Sequence, residues 1–156
     1  MRAPVLLSAT LAAVAASPMT LYVHPTRGSD AHAGTALEQP LATLGGAQTR
    51  LRAALAAGEE RDVVVELLPG SHRVPRGGLL ITAEDSQSDG HTVEWRGSAS
   101  SALSGGEPVT GWSKLNDPSL AAGVYAAPAP PSLPNGTARH LYVDGVRAAR
   151  TRVNTR

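Results

Sequence analysis

The 156-residue chain contains no cysteine. That excludes disulfides, thiolate metal sites and a cysteine nucleophile. It also contains no phenylalanine, and Trp 2 with Tyr 3 bring the aromatic content to only 3%. Neither an aromatic-built core nor a base-stacking platform for single-stranded nucleic acid suits so few rings. An excess of one charge is missing too: Lys+Arg 14 against Asp+Glu 13 gives a net charge of +1. A nucleic-acid binder needs a basic face to replace counterions, so that class is set aside. No apolar run approaches the ~20 residues that cross a bilayer as a helix. The length suits one domain rather than two.

What the chain does have is Gly 16 and Pro 12, a content that implies many turns. Its N-terminus reads as an address. Met1 and Arg2 precede an apolar stretch from Ala3 to Ala16, broken only by Pro4, Ser8 and Thr10, and no acidic residue occurs before Asp30. This is the pattern of a secretory signal peptide over residues 1–16, with small residues set for cleavage before Ala16 or Ser17. The expected product is a secreted chain of about 140 residues. Such a chain, lacking disulfides, needs extended β hydrogen bonding or a larger parent protein. The sequon Asn135-Gly136-Thr137 makes Asn135 a glycosylation candidate in a eukaryotic host.

Along the remainder, Thr20 to His24 is a short β-type run ended by Pro25. Leu44, Ala47, Leu51 and Leu55 then repeat at helical spacing, which predicts a helix over 42–57 stopped by Gly58, with Arg50 and Arg52 toward water. Asp62 to Leu68 is the strongest strand signal, closed by Pro69-Gly70. Further strands are expected at 71–74, 78–82, 92–96, 102–104, 108–112 and 123–126. Asp144-Gly145, between His140–Val143 and Val146–Ala148, predicts a tight hairpin. One early helix followed by many short strands, without αβ alternation, disfavours a doubly wound sheet. A sandwich, a barrel and a β-solenoid remain open on pattern alone.

An ordered succession of short motifs narrows this. It runs through Tyr22-Val23, Gly28-Ser29-Asp30, Gly34-Thr35, Pro40, Thr43-Leu44 and Ala47. It continues through Asp62 to Val65, Pro69-Gly70, Ala83 to Ser86, Asp89-Gly90, Leu103 to Gly106, Val109 to Trp112 and Leu141 to Gly145 with Ala149-Arg150. From about residue 20 onward the chain resembles the entry region of secreted, pectate-lyase-like right-handed parallel β-helix proteins. Many of these are glycoside hydrolases or lyases acting on polysaccharide. The resemblance implies a mostly β fold: the first rungs of a right-handed parallel β-helix over 17–156, with the early helix as N-terminal cap. Rungs are stable only by stacking and the first needs a cover, a role the amphipathic helix fits. The strand pattern runs to Arg156 without a stop, so the β-helix is expected to be incomplete.

Chemical constellations are sparse. Asp85-Ser86-Gln87-Ser88-Asp89-Gly90 mimics half of a calcium loop, but its twelfth position is Arg96 rather than Glu. A polar turn is the preferred reading, and Ca²⁺ stays unsupported. His24, His32, His72, His91 and His140 lack metal-ligand spacing. Glycoside cleavage needs two carboxylates ~5–9.5 Å apart, and Asp30, Glu66, Glu84, Asp85, Asp89, Glu94, Glu107 and Asp144 qualify by type alone. Arg147, Arg150 and Arg152 could meet acidic sugars, yet solvated strand faces are the preferred reading. No residue is assigned as catalytic, cofactor-binding or metal-ligating, and no cofactor is expected. The expected function is the N-terminal portion of a secreted carbohydrate-active β-helix protein that cleaves polysaccharide or glycoside in full-length form. Its partner would be a polysaccharide or glycan, with no nucleic acid and no membrane span. The alternatives are a non-catalytic β-helix module for polysaccharide binding or cell-surface structure, and a non-functional truncated product.

Overall fold

The computed structural model describes residues 16–88, 90–133 and 140–149. Most of the expected leader, Asn135, Asp89, Arg150 and Arg152 lie outside them. The described residues divide after Gly105 into two compact units. The fold is mostly β, with one α-helix and small sheets.

In the first unit, β1 (Met19–Val23), β2 (Val63–Leu67) and β4 (Val93–Gly97) form a parallel sheet in the order β1-β2-β4. Met19 pairs with Val63 and Val63 with Val93, so Leu21, Val65 and Trp95 stand in one row. Val63, Val64 and Val65 are all buried, which is why the strand reads as an unbroken apolar run rather than an alternation. A second parallel pair joins β3 (Gly70–Arg73) to β5 (Ser101–Ser104). Each follows the preceding sheet-one strand after a short corner. The corners stack as well: Ser101 donates its hydroxyl to the Leu67 carbonyl at 2.8 Å, and Gly70 N–H reaches Ser100 O at 2.9 Å.

The helix α1 (Leu44–Ala56) lies within the predicted span. Thr43 caps it, accepting from Gly46 N–H at 2.9 Å, and Asp30 accepts from the Ala42 and Thr43 amides at 2.9 and 3.0 Å. Together these satisfy two of the main-chain donors that a helix start leaves free, those of Thr43 and Gly46. At the other end, Gly58 N–H bonds to Leu55 O and Glu59 N–H to Ala54 O, a Schellman closure on Gly58. Leu44, Ala47 and Leu51 are buried in one cluster with Leu21, Val23, Leu41, Val63, Val65 and Leu67. Burying such side chains stabilises by roughly 1.5–3 kcal/mol each.

Two expected strands are absent. Residues 78–82 form none; the Leu80 carbonyl accepts instead from the Gln48 side chain at 2.8 Å. Residues 108–112 also form none: Pro108 has no amide to donate, and the Trp112 indole N–H turns back to Val109 O at 3.0 Å. Within the second unit, β6 (Ser113–Lys114) pairs antiparallel with β7 (Tyr125–Ala126), and β8 (Tyr142–Val143) with β9 (Val146–Arg147). Asp144 and Gly145 both take positive φ, 49° and 77°, the type I′ turn that Asp-Gly predicts.

The motif around Gly28 explains itself physically. Leu41 bridges to Val23, with Leu41 N–H on Tyr22 O and His24 N–H on Leu41 O, both at 2.8 Å. This closes the outer edge of β1. A side chain at 28 would collide with the Leu41 main chain and come within 2.6 Å of His24 O. Gly28→Ala is therefore expected to lower stability by about 3 kcal/mol or more, whereas Gly105→Ala, with nothing within 4 Å, should stay within about 0.5 kcal/mol. Urea melts of the two variants check this; equal melts would refute the close-approach explanation.

Candidate functional site

Two side-chain constellations stand out in the first unit. The first lies between α1 and the 3-10 turn Ala83–Asp85. Gln48 and Arg52 are one helical turn apart, so they project from the same face of α1. Both reach Asp85, whose side chain is fully buried, whereas that of Arg52 is 36% exposed. Arg52 Nε and Nη2 hold the two Asp85 oxygens at 2.7 and 2.8 Å, a bidentate fork. Gln48 Nε2 donates to Oδ2 at 3.1 Å and Thr82 N–H to the same oxygen at 2.8 Å. The Arg52 hydrogen bond, with those of Thr82 and Gln48, holds this carboxyl far below the usual carboxylate range. Arg52 Nη1 meets the exposed Glu84 at 3.1 Å.

A shallow open depression of about 540 Å³ sits over this cluster, lined in part by Gln48, Arg52, Leu80, Thr82 and Glu84. Arg52 is committed through all three nitrogens, and Asp85 accepts from five donor atoms. The cluster therefore acts as a clamp fastening the 82–85 turn to the helix. It corrects two expectations. Arg52 does not simply face water, and Asp85, the first residue of the calcium-like loop, is turned into the protein. Among the described residues no group of three or more His, Asp or Glu side chains is placed to hold a metal.

The second constellation runs across the outward face of the three-stranded sheet. The parallel register aligns Tyr22, Glu66 and Arg96 in one row, with Thr20, Val64 and Glu94 beside them. Arg96 Nε is 2.6 Å from Glu66 Oε2, and Nη1 is 3.7 Å from Glu94 Oε2. The Glu66 hydrogen bond raises the Arg96 pKa further above its ordinary value. Two of the carboxylates nominated by type, Glu66 and Glu94, thus meet on one guanidinium. Sequence spacing of 28 residues hid this, because only the strand register makes them neighbours.

The remaining candidates have structural partners. Asp30 braces the start of α1, and its Oδ2 accepts the Thr43 hydroxyl at 2.7 Å. Glu107 accepts from the Ser132 hydroxyl at 2.6 Å. Asp144 occupies the hairpin turn. Asp62 accepts from the Thr92 amide and hydroxyl at 2.7 and 3.0 Å, and these bonds lower its pKa. His24 accepts from the Arg27 side chain at 3.0 Å; burial, followed by the Arg27 charge, lowers its pKa. His32 lies 3.0 Å from Pro40 O, His91 lies 3.9 Å from Asp62, and His140 meets Arg147 at 2.6 Å. His72 lies on β3 with its side chain inward: it is 1% exposed, with Nε2 2.7 Å from Leu68 O. Gln48 was not singled out from sequence. The signal that could have found it is its i, i+4 spacing to Arg52.

No protein-family model and no curated protein matches this chain. A solved structure titled "Glycoside hydrolase" is similar, with a TM-score of 0.63 and 26% sequence identity. The similarity covers 84% of this chain and 21% of that one, so this chain corresponds to about a fifth of its length.

The clamp predicts an acid-sensitive stability. Folding depresses the Asp85 pKa, so its contribution is complete above the unfolded carboxyl pKa of about 3.9 and fades as pH falls below it. Asp85→Asn is expected to cost about 2 kcal/mol at neutral pH. The gap from the parent chain should narrow below about pH 4. Urea melts across pH measure both quantities; a constant gap would reject the assignment.

Proposed function

We propose that this chain is a segment of a secreted, carbohydrate-active protein built as a right-handed parallel β-helix. To that protein it contributes the N-terminal capping helix and the first rungs. The observation that carries the reading is the recurrence of one strand–corner–strand unit in parallel register. Val63 of β2 pairs with Val93 of β4, and Gly70 of β3 with Ser101 of β5, so both strands of the unit return after nearly the same interval. A strand that returns parallel to itself through a crossover does so right-handed in nearly all proteins. The similarity to a glycoside hydrolase adds the carbohydrate side, and it extends over only 21% of that chain. In its longer form the protein would cleave polysaccharide or glycoside.

The role of the described segment in such a protein is scaffolding. Acid–base cleavage of a glycoside uses one carboxyl as a proton donor and a second as base or nucleophile. Glu66 and Glu94 share Arg96, Asp85 is enclosed by donors, and Asp30 caps a helix. Each of these carboxylates is already engaged by a guanidinium or by main-chain amides. This same observation favours the second reading, a non-catalytic module that binds polysaccharide or shapes a cell surface.

Reducing-sugar release from pectin, xylan and fucosylated glycans distinguishes these. The 156-residue chain is expected to release none, and a longer polypeptide containing it to release sugar from at least one. Glycan binding without release by the longer form would select the non-catalytic module. A longer form that neither binds nor cleaves any glycan would overturn the carbohydrate reading.

A further inference from the structure

The depression of about 540 Å³ beside α1 is lined only by residues of α1 and of the 78–84 segment. Both precede β4 in the chain, so its walls do not depend on what pairs with that strand. Its floor is held in one arrangement. Gln48 Nε2 donates to Leu80 O and Asp85 Oδ2 at 2.8 and 3.1 Å, and no described residue donates to its Oε1. Arg52 spends Nε, both Nη2 hydrogens and one Nη1 hydrogen on Asp85, Thr82 and Glu84. That leaves its second Nη1 hydrogen without an acceptor among the described residues. Glu84 keeps one oxygen in the same state. Its Oε2 meets Arg52 at 3.1 Å, Oε1 has no partner among the described residues, and the side chain is 74% exposed. The rim of this ion pair thus sets a donor beside an acceptor, with the Gln48 oxygen as a second acceptor. Leu80, 75% exposed, adds an aliphatic flank. At Gly78 nothing lies within 4 Å of where a side chain would stand, so that side is open.

We propose that this depression, given the carbohydrate reading above, binds a neutral sugar residue within a glycan chain. Adjacent hydroxyls of a sugar ring match a donor and an acceptor set side by side. One hydroxyl accepts from Arg52 Nη1 while its neighbour donates to Glu84 Oε1, and a further hydroxyl donates to Gln48 Oε1. The C–H face of the ring covers Leu80 and removes apolar surface from water. Charge selects against acidic sugars. Glu84 and the buried Asp85 outnumber the one guanidinium, so a uronate carboxylate would meet net negative charge. Because the clamp already fixes Gln48 and Arg52, little side-chain ordering is left to oppose binding. The open side at Gly78 lets the glycan chain continue outward.

Amide NMR of the 156-residue chain, titrated with xylohexaose, cellohexaose, mannohexaose and hexagalacturonate, tests this. At least one neutral oligosaccharide is expected to shift the Gln48 side-chain amide, the Arg52 Nε–H and the Thr82 and Glu84 main-chain amides. Hexagalacturonate should shift none of them. Glu84→Ala and Leu80→Ser replace exposed side chains, and circular dichroism melts verify that each variant folds. Each should weaken neutral-glycan binding about tenfold, and either serves alone if the other does not fold. No shift with any neutral oligosaccharide, tighter binding of hexagalacturonate, or an affinity indifferent to the substitutions would overturn the proposal. The carbohydrate reading fails on different evidence. If the longer form binds or cleaves glycans while this chain shows no shift around Arg52, the subsite alone is overturned. If the longer form does neither, both fall.

Discussion

Strand β2 carries a hydrogen-bonded parallel neighbour on each side, and the first unit is organised around that fact. Parallel strands cannot be joined by a tight turn, so the chain must travel and return between each of them. The return from β1 to β2 is made by the 24–42 loop and α1, and that from β2 to β4 by β3 and the clamped 82–85 turn. Each return also covers something. The loop closes the β1 edge through Leu41, and the helix lays Leu44, Ala47 and Leu51 on the aliphatic rows of the sheet. Aliphatic side chains suit this role because identical small shapes stack in register without the bulk of rings.

Several charged side chains in this unit fasten one element to another. Asp30 fastens the helix start, Asp85 the excursion after β3, Asp62 the beginnings of β2 and β4, and Glu66 with Arg96 the outer face. Asp85, the one of these whose side chain is fully buried, replaces its lost hydration with a guanidinium, an amide and a main-chain N–H, as a desolvated charge requires. A glycoside-cleaving pair needs the opposite, one carboxyl free to hold a proton and a second free to attack or to activate water.

Much of the architecture could be read from the residues themselves. The helix followed from apolar spacing and Gly58, β2 from its β-branched run, and the hairpin from Asp144-Gly145. The failures have local causes as well. Residues 78–82 look strand-like, but Gln48 captures the Leu80 carbonyl that a ladder would use. His72, polar and between two exposed neighbours, gave no hint that its side chain is buried. The Glu66–Arg96–Glu94 contact and the Arg52–Asp85 clamp join residues about 30 apart, beyond any spacing rule that acts within one element.

The sequence by itself determined the periodicities: where apolar side chains recur at 3.6 or at 2, where glycine and proline interrupt, and where caps close. These are short-range effects, decided by sterics and by hydrogen bonds a few residues long. Only the tertiary structure decided that β1, β2 and β4 lie parallel and in which register. That register depends on how separate segments share one apolar interior, and it alone makes neighbours of Glu66 and Glu94. It also gives β4 its strand neighbour among the described residues, a pairing that no property of residues 93–97 taken alone specifies.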